Sequence, residues 1–148
     1  MRARWRASPF GRLPARHVAW AIAKLIAIVW MLSYVFTAPP QTFAILGWFL
    51  WALLPIAAAA GVVSIVGMVI SHSPTPGAPR RGLTIELSGL WVMLSGPFAH
   101  AVTMFVIMVG GEGTTRFGPM MQSVFMLAVI SVRIVEVRRP WSRITGAA

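Results

Sequence analysis

Cysteine and aspartate are both absent from this chain. Without a thiol there is no disulfide, no thiolate metal ligand and no thiol redox chemistry. The only carboxylates are Glu86, Glu112 and Glu136, and they lie far apart in the sequence. General acid–base work by paired carboxylates therefore has no obvious constellation. The three histidines, His17, His72 and His100, are equally scattered. No catalytic, cofactor-binding or metal-binding residues are assigned, and the chain reads as non-enzymatic with no cofactor. No dinucleotide or phosphate-binding motif and no internal repeat is present.

Charged residues as a class are also scarce, at 11% of the 148 residues, whereas 57% are hydrophobic. A soluble domain of this size cannot hide so much apolar surface, and the mean hydropathy of +0.77 agrees. Four apolar runs carry most of it, His17–Phe36, Phe43–Ile70, Leu87–Val109 and Met120–Val132. Each is near or above the roughly 17 residues that cross a bilayer core, the fourth once Arg133–Val137 are added. The reading is an all-α integral membrane protein, an antiparallel bundle of four transmembrane helices. Phe36 is too large for a small-x-small cleavage site, and Pro39 follows closely, so the first run is expected to be a retained helix and not a signal peptide.

Charge sets the expected orientation. Arg2, Arg4, Arg6, Arg12, Arg16 and Lys24 lie before or early in the first helix, and Arg80 and Arg81 between the second and third. Arg133, Arg138, Arg139 and Arg143 close the fourth helix and the tail. Twelve of the thirteen basic residues thus fall on one side, and only Arg116 falls on the other. Such bias in short loops marks the cytoplasmic face. The expectation is a multi-pass protein of the cytoplasmic (inner) membrane with both termini inside. The same topology accounts for the basic surface without nucleic acid. The arginines at 2, 4, 6, 12, 16, 138, 139 and 143 are expected to contact anionic lipid headgroups. Trp20, Trp91 and Trp141 on the inner side, and Trp30, Tyr34, Trp48 and Trp51 on the outer, suit interfacial anchoring.

Three regions follow: a basic cytoplasmic arm (1–16), a four-helix membrane domain (17–137) and a basic cytoplasmic tail (138–148). Within the domain the helices are expected at about 17–37, 43–70, 86–109 and 119–137. Proline and glycine mark the links APPQT (38–42), SHSPTPGAPRRG (71–82) and GGEGTTRFG (110–118). In the second helix Ala57, Gly61 and Ser64 share a face at spacings that let another helix approach closely, with the partner left open.

Polar residues inside the spans are the candidate functional positions. Lys24 and Glu86 fall on the same side of the membrane and can form an ion pair, Glu86 also suiting a helix N-terminus. Arg133 and Glu136 are three apart and can pair locally. In MLSGPFAHAVTM (93–104), Ser95, Gly96, Pro97, His100 and Thr103 form the most polar and least bulky stripe in the chain. Pro97 frees the carbonyl of Met93. The stripe is either a helix-packing surface, with His100 bonded near Trp51 or Met93, or the lining of a wet pore. Small four-helix multidrug exporters use an acidic residue in the first helix, where this chain has Lys24.

The excess of Arg over Lys (12 to 1), the abundant Trp, the helix start RRGLTIELSGLW (80–91) and the basic end RIVEVRRPW (133–141) resemble the small four-span membrane proteins of actinobacterial phages. That resemblance covers the general plan of the chain and implies either a holin-like lysis protein or a prophage exclusion protein. The function expected first is a self-associating, holin-like or channel-like oligomer of phage origin that permeabilises the membrane. The alternative is an adaptor or exclusion protein that binds and modulates another membrane protein through its small-residue faces.

Overall fold

Four helices account for nearly all the residues that the structure, a computed structural model, describes: 13–37, 40–112 and 117–146. They are α1 (Ala15–Thr37), α2 (Pro40–Ser71), α3 (Ala78–Ile107) and α4 (Phe117–Thr145). All four contain a segment long and apolar enough to cross a membrane, and no strand occurs among the described residues.

Every helix is longer at one or both ends than its apolar run. At the starts of the second and third helices proline allows the extension, because its missing N–H costs nothing there. Pro40 opens α2, and Pro79 sits in the first turn of α3. Gly77, at φ 78°, supplies the left-handed residue that turns the chain into α3. The expected loop over 71–82 is therefore shortened, and Glu86 is not a helix N-terminal residue but lies two turns inside α3. Met108–Glu112 continue α3 as a π-helical turn into the expected outer link. The stretch read as a tail from 138 is helical to Thr145, passing through Pro140. The arginines at 2, 4, 6, 12 and 116 and the side chain of Trp48 lie outside the described residues.

The core forms where the helices exchange small side chains for close approach. On α3, Gly82, Gly89, Gly96 and Thr103 recur every seven residues, the repeat that keeps one seam facing a neighbour. The facing seam on α2 is Ala57, Ala60, Ser64, Gly67 and Ser71. The contacts run in opposite chain order: Gly96 sits on Ala57, Gly89 on Ala60 and Ser64, and Gly82 on Gly67 and Ser71. A Cβ at Gly89 would stand 2.7 Å from the Ala60 carbonyl oxygen, so only glycine fits there. Gly61 turns to α1, against Ile28. The small face of α2, whose partner the sequence left open, is thus spent on α3 and α1 of the same chain. Met31, Leu54, Leu90, Met93 and Ile130 fill the remaining space, contributed by all four helices. The outward faces carry exposed large apolar side chains, such as Ile26, Val66, Phe98 and Phe125, as a lipid-facing surface requires.

Candidate functional site: a buried charge cluster and a basic cavity

Glu86 is fully buried, and its single oxygen Oε1 collects three cationic N–H donors. Lys24 Nζ on α1 donates to it at 2.7 Å, and Arg133 on α4 donates through Nε at 2.9 Å and Nη2 at 2.8 Å. Lys24 also donates to the Ser64 carbonyl on α2, at 3.4 Å. One carboxylate oxygen on α3 therefore ties together all four helices. The remaining guanidinium edge reaches Glu136 Oε2 at 3.1 Å, and the Arg133 guanidinium lies over the Trp20 ring, 5.4 Å from its centroid. Lys24 and Arg133 are themselves buried. Two buried cations thus share one buried carboxylate, and the half-exposed Glu136 brings the cluster to charge balance, which favours ionised groups in an apolar bundle.

The sequence brought Lys24 and Glu86 to the same depth, and the structure places them in contact. It also paired Arg133 with Glu136, and that contact is present. The missed feature is that Arg133 spends two of its nitrogens on Glu86. A signal was available: two cations on different helices, and Glu86 as the one carboxylate within reach of both depths, since Glu136 lies on the same helix as Arg133 and nearer its end.

Toward the helix ends the cluster opens into a cavity of about 270 Å³. Arg16 and His17 come from α1, Ser71 and the following His72 from the end of α2, Glu86 from α3, and Arg133, Glu136 and Arg139 from α4. The His17 and His72 rings meet edge to face, with centroids 4.3 Å apart. His72 Nδ1 lies 2.9 Å from the Met68 carbonyl oxygen, which can only accept, so this nitrogen carries the proton. Two buried polar atoms of residues that line the cavity, Glu86 Oε2 and His17 Nδ1, have no hydrogen-bond partner among the described residues. Sequence reasoning had no access to this cavity, because it exists only where the ends of the four helices converge.

The stripe of α3 lies in a second polar layer, remote from the cavity. Gly96, Pro97, His100 and Thr103 are all buried. His100 Nδ1 and Ser123 Oγ on α4 are 2.6 Å apart. Ser123 Oγ also lies 3.0 Å from the Pro119 carbonyl; when its proton points there, the imidazole Nδ1 is the donor. The partner of His100 is thus Ser123, and not a carbonyl near Trp51 or Met93, because its ring points to α4. Tyr34 and Trp30 of α1 close around that ring edge to face, at 4.0 Å and 5.2 Å. Thr103 bonds back to the Ala99 carbonyl at 2.7 Å. Ser95 separates from the group: it is only half-buried and bonds the Val92 carbonyl of its own helix at 2.6 Å. Trp30, besides touching His100, donates to Gln122 at 3.4 Å, so it serves α1–α4 packing as well as any interfacial role.

Comparison of the chain with protein-family models, with curated proteins and with solved structures gives no match.

Proposed function

We propose that the chain is a non-enzymatic multi-pass protein of the cytoplasmic (inner) membrane, N-in and C-in, that binds and modulates another membrane protein in the manner of an adaptor or exclusion factor. The observation that supports this over a self-assembled pore is the closure of the α3 stripe. His100 and Thr103 have no exposed surface, and Gly96 rests on Ala57 and Met31. A holin-like channel lined by these residues requires the bundle to open, losing the His100–Ser123 bond and the α2–α3 seam together. A single closed chain avoids that cost.

The same packing changes how a partner would be met. Ala57, Gly61 and Ser64 are occupied within the chain, so the contact falls to the apolar outer flanks, for example Ile22, Ile26 and Val29 on α1. Basic residues at the cytoplasmic ends then hold the protein at the inner leaflet, each contributing about 1 kcal/mol where it nears anionic headgroups.

Liposomes loaded with a small dye test the choice. On the adaptor reading the purified chain leaves the dye inside even at high protein load, and crosslinking in the native membrane traps a distinct partner. Dye release that changes in His100→Ala would replace it with the holin-like, self-associating reading. Recovery of self-crosslinks alone would count against the adaptor.

A further inference from the structure

We propose that the cavity at the converging helix ends is a binding site for a phosphate group. Its rim carries the exposed guanidinium groups of Arg16 and Arg139, on α1 and α4, and its wall carries the His17–His72 pair. Arginine suits a phosphate because its planar fork donates two parallel hydrogen bonds to two oxygens. Both carboxylates at the cavity are already engaged by cations: Glu86 by Lys24 and Arg133, Glu136 by Arg133. Arg16 and Arg139 therefore remain as uncompensated positive charge facing the space.

The second observation comes from inside the cavity. His17 is only 8% exposed, yet its Nδ1 meets no partner among the described residues. A buried polar atom left unpaired costs about 1–3 kcal/mol, so such atoms are normally satisfied. With its proton on Nδ1, His17 donates to a phosphate oxygen held between the two arginines. Glu86 Oε2, also unpaired, accepts from a water carried with the phosphate. A phosphate with its hydration water thereby supplies an acceptor for His17 and a donor for Glu86. The volume of about 270 Å³ accommodates a phosphate with several waters. The chemistry is shared by a lipid headgroup and by free phosphate. Because the cavity belongs to the folded chain, the site exists whether or not the protein has a membrane partner.

The test compares two double variants with the same change in net charge. Arg16→Gln/Arg139→Gln removes the rim, and Arg80→Gln/Arg81→Gln removes two exposed arginines outside the cavity. The full chain in mild detergent is titrated with phosphatidylglycerol, read as lipid retained in native mass spectrometry, and separately with inorganic phosphate, read as a rise in melting temperature. The parent is expected to bind, the rim variant to bind about tenfold more weakly, and the Arg80/Arg81 variant to stay within about twofold of the parent. Binding of the lipid alone assigns the site to a headgroup, and binding of inorganic phosphate in its own right assigns it to a free anion. His17→Phe, which keeps a ring against His72 and leaves the chain's charge unchanged at neutral pH, is expected to weaken binding while the chain retains its helix content. Equal losses in the two double variants, or no binding of either probe by the parent, would overturn the proposal.

Discussion

Replacing Glu86 by glutamine is the most demanding perturbation of this bundle, because the amide keeps the shape and removes the charge. Lys24 Nζ and the Arg133 guanidinium stand within two hydrogen-bond lengths of each other, both on the same oxygen. Once that oxygen is neutral they repel: at about 5 Å and an effective dielectric of about 20 the term is roughly 3 kcal/mol. Glu136 still compensates Arg133, so the stranded cation is Lys24. Removing one partner from a buried pair generally costs about 3–5 kcal/mol, and the local geometry places Glu86→Gln in that range. Lys24→Met is much milder, at about 1–2 kcal/mol, because Glu86 keeps both bonds to Arg133. The double variant Lys24→Met/Glu86→Gln is therefore expected to be more stable than Glu86→Gln alone. Reversible unfolding in mixed micelles, followed by helical circular dichroism, measures all three. A Glu86→Gln chain within about 0.5 kcal/mol of the parent, or a double variant no better than Glu86→Gln, would refute the view that Lys24 depends on this carboxylate.

Other consequences can be measured in the same preparation. Ser123→Ala leaves His100 Nδ1 without its partner in the packed core and is expected to cost about 1 kcal/mol of stability. Gly89→Val forces a branched side chain against the Ala60 carbonyl and Ser64 and is expected to cost at least about 3 kcal/mol, whereas Gly118→Val, where an added Cβ meets nothing within 4 Å, leaves the melting transition unchanged. The absence of cysteine makes topology directly testable: Thr75→Cys should react with a membrane-impermeant maleimide only after the inner face is opened, and Gly118→Cys should react in intact cells. Labelling with the opposite sidedness would invert the proposed orientation.

The four spans were legible because their signal is apolar length, which survives without any knowledge of neighbours. Helix ends were less legible because the prolines of 38–42 and 71–82 read as marks of a link. Pro40 and Pro79 instead begin helices, and Pro140 is carried inside one. Lys24 and Glu86 could be matched because depth along two spans is countable. The third member escaped because Glu136, three residues away, offered Arg133 a nearer explanation. The partner of His100 escaped for a different reason: Ser123 is a small hydroxyl that backbone or any neighbouring helix can satisfy, and it meets both the Pro119 carbonyl and the imidazole. The cavity between Arg16, His72 and Arg139 depends on how four helix ends meet, which no single segment encodes.

The convergence of three cationic N–H groups on one Glu86 oxygen also bears on how the chain enters the bilayer during synthesis. The charges emerge in the order positive, negative, positive: Lys24, then Glu86, then Arg133. Lys24 arrives first and can wait with its ammonium drawn toward the basic end of α1. Glu86 arrives two turns into α3, after Arg80 and Arg81, and finds an opposite charge already waiting in the first helix. Arg133 comes last, into a site where the carboxylate is in place, and brings Glu136 with it. At no stage does a nascent intermediate hold two like charges at the same depth without an opposite one between them. The written order of the residues therefore sets a safe sequence of insertion, and exchanging Lys24 with Glu86 would keep the composition of the finished cluster while leaving an unescorted carboxylate in the first helix.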